Sequence, residues 1–332
     1  MKLTTIVLPA IMLMACSSGA ADKTAEAAAQ PEAAETPSWP AFNADSAFAF
    51  TARQVDFGPR MPGSAAHGRC REYLIGALEE FGADTVMVQE ATVTAFDGTR
   101  LPMANIMARF NTGAPRRILL AAHYDTRPWA DEDKDETLRH TPIDGANDGA
   151  SGVAVILEIA RNLQLQKPET GVDVLLTDVE DYGSHDEEAT GETSWALGAQ
   201  YWAAHSPYSS ARERPAFGIL LDMVGGRGAN FYREYFSESV APVVNNKVWQ
   251  AARAEGISRF VDEQHGGVTD DHIFISGAGI PCIDIIECAN SVTGSFPPTW
   301  HTTDDTIENI DKTTLGDVGR TLMRVIYTER AQ

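Results

Sequence analysis

Val172-Asp173-Val174-Leu175-Leu176-Thr177-Asp178-Val179-Glu180-Asp181-Tyr182-Gly183 is the stretch on which the fold turns. Residues 172–178 are a short apolar run closed by a turn, the pattern of a strand buried on both faces. In an open α/β sheet the carboxyl ends of the strands face the crevice where ligands bind. Glu180 and Asp181 stand at that end. Two carboxylates there can divide the labour, one holding a metal while the other moves protons. An isolated Glu-Asp would be a solvated turn, so the reading depends on what the rest of the chain places beside the pair.

Outward from this strand, apolar runs alternate with amphipathic segments. Strands are expected at 85–94, 102–110, 117–123, 217–223 and 280–286. Helices are expected at 42–55, 64–81, 151–165, 194–204, 240–255, 271–276 and 313–327. Strands alternating with helices imply an α/β fold, a mixed, mainly parallel central sheet flanked by helices on both faces. No internal repeat and no second domain boundary interrupts residues 41–332.

The 332 residues carry a net charge of −21. That charge argues against nucleic acid as a partner and against electrostatic binding to an anionic membrane. The start is different in kind. Met1-Lys2, an apolar stretch over 6–14, and Leu13-Met14-Ala15-Cys16 resemble a bacterial lipoprotein signal peptide over residues 1–15. The resemblance implies cleavage before Cys16 and a lipid on that cysteine; an ordinary cleaved secretion signal is the alternative. Ser17, rather than Asp, suits delivery to the periplasmic face of an outer membrane. Residues 16–40, rich in Ala, Glu, Pro, Thr and Ser, are expected to be a flexible tether. The remaining cysteines, Cys70, Cys282 and Cys288, make no complete disulfide framework and read as buried thiols.

Chemistry-bearing residues recur at the other strand ends. They are His123-Tyr124-Asp125, then Gly145-Ala146-Asn147-Asp148-Gly149-Ala150-Ser151-Gly152, Asp222, Asp270-Asp271-His272, and Trp300-His301-Thr302-Thr303-Asp304-Asp305. Asp148, Asp181 and His301 make a plausible O, O, N ligand set for a zinc ion with an open fourth position. Taken singly, Asp148 could equally be a helix N-cap. Asp125 could orient a ligand from behind.

In this order the motifs resemble the zinc-dependent aminopeptidase superfamily and, within it, the glutaminyl cyclases of animals and certain bacteria. The runs His123-Tyr124-Asp125-Thr126-Arg127-Pro128-Trp129-Ala130-Asp131, Asp178-Val179-Glu180-Asp181-Tyr182-Gly183, Ser194-Trp195-Ala196-Leu197-Gly198 and Trp300-His301-Thr302 carry the likeness, which spans about residues 45–330. It implies one zinc on Asp148, Asp181 and His301, and Glu180 as proton shuttle. It also implies Asp222 and Asp270 as a hydrogen-bonded acidic pair, and Trp300 as a pocket wall. Trp195 and Trp129 are further candidate walls. Two departures stand out: Asp181 occupies a position where the animal enzymes have Glu, and their cysteine pair near the active site is not found. The implied substrates are peptides or proteins with an N-terminal Gln, and the chain is taken as a monomer with no nucleic-acid partner. Two alternatives stay open. A two-zinc aminopeptidase would find all its ligand positions filled by His123, Asp148, Asp181, Asp222 and His301. A non-catalytic binding protein on the same fold is the other.

Overall fold

Six strands pair in the order β1-β2-β4-β3-β5-β8 in the computed structural model, which describes residues 38–186, 192–211 and 213–330. They are β1 (Thr85–Thr94), β2 (Arg100–Phe110), β3 (Arg117–His123), β4 (Gly171–Thr177), β5 (Gly218–Asp222) and β8 (Cys282–Ile286). The pairings β4–β3, β3–β5 and β5–β8 are parallel, whereas β1–β2 and β2–β4 are antiparallel. The sheet is therefore mixed and mainly parallel, as the alternating pattern implies. Its parallel part explains why β3 and β4 read as unbroken apolar runs: every residue of both is buried.

Successive strand residues point to opposite faces. Ile118, Leu120 and Ala122 join a core with Val153, Trp249 and Leu315, from helices α3 (Ala150–Leu165), α6 (Pro242–Ala254) and α8 (Lys312–Thr328). Helices α1 (Ala44–Val55) and α2 (Ala65–Glu80) add Ala47, Leu74 and Leu78 to that core. Leu119 and Ala121 pack on the other face against Trp202 of α4 (Leu197–Ala204) and Ile275 of α7 (Asp271–Gly277). Asp173 is buried within the sheet but not unpaired: Arg117 Nε donates to it at 2.8 Å and Tyr208 Oη at 2.8 Å.

Register sets the site. His123 lies opposite Thr177 and Asp222 opposite Ile286, so four parallel strands end at one edge. Two helices start directly on those ends. A Cβ on Gly152 would come within 2.1 Å of the Leu221 carbonyl oxygen, and one on Gly198 within 1.9 Å of the Asp178 carbonyl oxygen. Any larger residue would push α3 or α4 off the strand ends.

Some expectations need correction. The helix expected over 194–204 begins only at Leu197, because Ala196 adopts a left-handed φ of 55° and residues Glu192–Ser194 form a separate 3-10 turn. The helix expected over 240–255 is α6, which starts at Pro242, and a separate short helix, α5 (Tyr235–Val240), precedes it and was not expected. Strands β6 (Phe231–Arg233) and β7 (Phe260–Gln264), which pair as a small separate sheet, were not expected. Cys70, Cys282 and Cys288 are buried free thiols. Ordered packing reaches back to Trp39, whose ring stacks on Tyr327 at 5.9 Å. Cys16 and most of the expected tether lie outside the described residues, among which no helix is long and apolar enough to cross a membrane.

Candidate active site

Each functional segment at the strand edge is held by a buried carboxylate. Past β4, the Asp178 side chain accepts from Ala104 N at 2.7 Å and Val179 N at 2.9 Å and pairs with His67 Nε2 at 2.8 Å. Val179 then takes a left-handed φ of 54°, rare for a β-branched residue. The next two amides, of Glu180 and Asp181, donate to Asp125 Oδ1 at 3.1 Å and Oδ2 at 3.2 Å. Asp125 thus clamps the backbone of the acidic pair, while staying 3.6 Å from His123 Nδ1. Asp305 does the same for Asp148, accepting from Asn147 N at 2.8 Å and Asp148 N at 3.0 Å. Met223 and His301 also have left-handed backbone, at φ 47° and 52°.

The N-cap of α3 is Gly149, at φ 84°, with no side-chain cap. The capping alternative for Asp148 therefore falls away, and its carboxylate faces two imidazoles. His123 Nε2 is 3.0 Å from Asp148 Oδ1 and 3.2 Å from Asp222 Oδ1. His301 Nε2 is 3.0 Å from Asp181 Oδ1 and 3.5 Å from Asp148 Oδ2. In each of the sets Asp148–Asp181–His301 and His123–Asp148–Asp222, the candidate ligand atoms lie within 4.8 Å of one another. Asp148 belongs to both.

A zinc ion fits the first set. All three residues are buried, their donors are two oxygens and a nitrogen, and Asp181 Oδ2 is a buried oxygen with no hydrogen-bond partner. Behind Asp181, Arg127 donates from Nη1 to the carbonyls of Asp181 at 3.1 Å and Gly183 at 3.2 Å, and its Nε and Nη2 grip Asp131 at 2.7 and 2.6 Å. Asp131 Oδ1 in turn stands 3.8 Å from His301 Nδ1.

Burial pushes the Glu180 carboxyl well above the usual carboxylate range, helped by Asp270. Burial likewise raises Asp222 to about 7, against the hydrogen bond from His123. Carboxyls raised toward neutrality can exchange protons where unperturbed ones cannot. Asp270 is also raised by burial, against the pull of His272. The expected hydrogen bond between Asp222 and Asp270 is not made. Asp222 bonds His123, and Asp270 accepts from the Asp271 amide at 2.5 Å. The two acids share the pocket, not a bond.

That pocket encloses about 190 Å³ and is lined by Glu180, Asp222 and Asp270 below and by Trp195, Trp300, Phe296 and His185 around it. The volume is below the roughly 300 Å³ at which pockets for drug-sized ligands begin, and suits a single side chain. Trp129 does not line it. Its indole N–H donates to Asp131 at 3.2 Å and its ring meets Tyr182 edge-on at 5.0 Å, so it braces the Arg127–Asp131 pair instead. His185, which the sequence reading passed over, takes a place in the wall, with ring centroids 5.1 Å from Trp195 and 5.3 Å from Trp300. Only its position four residues past Asp181 hinted at this. Arg127 has its signal in the sequence too, as an arginine just past a strand end in so acidic a chain.

Acids and imidazoles converging at the carboxyl edge of a mixed sheet, beside a buried glutamate, define a metalloenzyme of the zinc-exopeptidase type. Residues 105–326 match peptidase family M28, and the chain belongs to that family. It is 49% identical to the Bacteroides thetaiotaomicron glutaminyl cyclase solved with N-acetylhistamine, covering 88% of this chain and 100% of that one, with a TM-score of 0.84. A Zn-dependent exopeptidase from Parabacteroides distasonis is 45% identical, covering 87% and 99%, with a TM-score of 0.83. The glutaminyl-peptide cyclotransferase of Bos taurus is 24% identical over 79% of this chain and 76% of its own length.

Proposed function

We propose that this protein is a zinc-dependent glutaminyl-peptide cyclotransferase, converting the N-terminal Gln of peptides or proteins to pyroglutamate with release of ammonia. The observation that carries this reading is the small aromatic pocket, with Trp195 and Trp300 in its wall, set over Glu180 and the Asp148–Asp181–His301 set.

The α-amine of the terminal Gln attacks its own γ-carboxamide carbon, a new N–C bond forms, and the amide nitrogen leaves as ammonia. Bound zinc supplies Lewis-acid polarisation of the carboxamide. Glu180 takes the proton from the attacking amine and delivers it to the leaving nitrogen. Asp222 and Asp270, in the same pocket, keep the amine end in a field of carboxyls. Nucleophile and electrophile belong to one residue, so the walls need only hold the side chain folded back. Positioning of this kind reaches roughly 7–11 kcal/mol in favourable cases. The same walls limit water, which would otherwise hydrolyse the amide.

One zinc per chain is part of this proposal, with His123 and Asp222 as a hydrogen-bonded pair beside it. His123 Nε2 has its partner in Asp222, whereas Asp181 keeps an unpartnered buried oxygen. The second reading, a two-zinc aminopeptidase, rests on the His123–Asp148–Asp222 set. Purified protein given a Gln-initiated peptide is expected to release ammonia without shortening it. Loss of the first residue instead would establish the peptidase.

The localisation is also proposed: a lipid anchor on Cys16, the tether over 16–40, and a monomeric domain at the periplasmic face of an outer membrane. The signal-like run ending at Cys16 supports this reading. In a Gram-negative host the protein is expected in the membrane fraction and Cys16→Ser in the soluble one. An unchanged distribution would refute the anchor.

A further inference from the structure

His272 follows Asp270-Asp271, yet the proposed chemistry gives it no task. Its imidazole is fully buried. Nε2 faces Glu234 Oε2 at 3.3 Å, and Nδ1 faces Asp284 Oδ2, on β8, at 3.9 Å. Asp270, His272 and Asp284 bring their polar atoms within 4.8 Å of one another, all three buried.

Glu234 connects this centre to the pocket wall. Its Oε1 accepts from Phe236 N at 2.9 Å and Val268 N at 3.1 Å, and its Oε2 from Ser237 N at 2.6 Å. Val268, Phe296 and Trp300 all pack on the small cluster of Met223, Ile286 and Cys288, and residues 267–269 line the pocket. The Ser237 hydroxyl accepts from Asp284 N at 2.9 Å, tying α5 to β8. A continuous path therefore runs from the wall at Val268 through Glu234 and His272 to Asp284 and Asp270. Burial pushes Glu234 up, yet His272 and the two helix amides hold it down to about 2. Burial, Asp270, Asp222 and Glu234 push Asp284 well up. Neither imidazole nitrogen closes a hydrogen bond at these separations, so His272 is held between the two acids by charge and packing.

We infer that His272, backed by Glu234, is a positioning residue that fixes Asp270 and the 267–269 wall in one arrangement for the reaction. Removing the imidazole leaves the buried acids Glu234 and Asp284 with no imidazole between them, and such groups reorganise rather than stay uncompensated. The wall and Asp270 then move together. Misplacement by about 1 Å can cost on the order of 10²-fold in rate.

This assignment rests on the cyclase reading. The experiment compares wild type, His272→Leu, His272→Gln and Glu234→Gln for kcat and KM on a Gln-initiated peptide, zinc content and folded fraction. His272→Leu is expected to lose on the order of 10²-fold in kcat with a raised KM and unchanged zinc. His272→Gln, which keeps a polar group at the centre, is expected to recover most of the loss. If His272→Leu does not fold, Glu234→Gln decides, with a kcat at least about tenfold down at full zinc content expected. Wild-type kinetics in that folded variant overturn the assignment. So does a loss in His272→Leu that only tracks the folded fraction or the zinc content, or a metal ion missing from this centre in His272→Leu and present in wild type. No ammonia release by wild type would instead sink the cyclase reading itself.

Discussion

Glu180→Gln is expected to lower kcat by about 10²–10⁴-fold, the usual worth of a positioned general acid–base group. The zinc content should stay at the wild-type level. Glu180 is not in the Asp148–Asp181–His301 set, and its backbone amide is held by Asp125 whatever its side chain. Gln has nearly the shape of Glu but cannot carry the proton from the attacking amine to the leaving nitrogen. Since the proton moves only during reaction, kcat and kcat/KM should fall together while KM changes little. The direction of the Glu180 shift fits this role, because a carboxyl raised by burial sits nearer the pH at which proton transfer both ways is efficient. Steady-state kinetics with metal analysis check the expectation. A variant that loses its zinc would mean that Glu180 and Asp181 have each other's roles.

Asp148→Ala should be the more damaging change, because Asp148 is the one residue shared by both imidazole clusters. Its two oxygens face His123 and His301. Zinc should fall to a small fraction of an equivalent. Turnover should fall by on the order of 10³-fold or more, as loss of several kcal/mol of Lewis-acid stabilisation implies. The clamp by Asp305 acts on backbone amides and survives the substitution, so the protein should still fold. Metal content and circular dichroism on the same sample separate loss of ion from loss of fold. His123→Ala and His301→Ala complete the comparison. Wild type with near one zinc, kept by His123→Ala and lost by His301→Ala, matches the proposal. Two zincs, one of them lost with His123, would move the protein to the peptidase reading.

Much of this was legible in the chain. β3 and β4 announce themselves because a strand buried on both faces must be apolar throughout, and α3 because Val153, Val155, Ile156 and Ile159 mark a buried face, although the helix is in fact buried nearly all round. The candidate ligand residues were legible because strand ends are where such folds put chemistry. What stayed hidden has physical reasons. β6 has three residues and α5 six, too few for a period to show. The clamps of Asp125 and Asp305 span 55 and about 158 residues of chain, so their targets exist only once the sheet is assembled. Trp129 was expected in the wall and His185 was not, because only packing decides which side chain near a site faces the cavity.

The left-handed residues at the site carry a consequence for anyone wishing to harden this protein. Val179, Ala196, Met223 and His301 each hold a backbone pose that costs an L-residue roughly 1–2 kcal/mol. Glycine at Val179 or Met223 would relieve that tension, and a search guided by stability alone would select it. Yet Val179 immediately precedes Glu180, and Met223 follows Asp222. A more permissive backbone there would let both acids wander. Hardiness and activity therefore pull on the same few peptide bonds, and a tougher version of this enzyme is better sought on the far edge of its sheet, along β1.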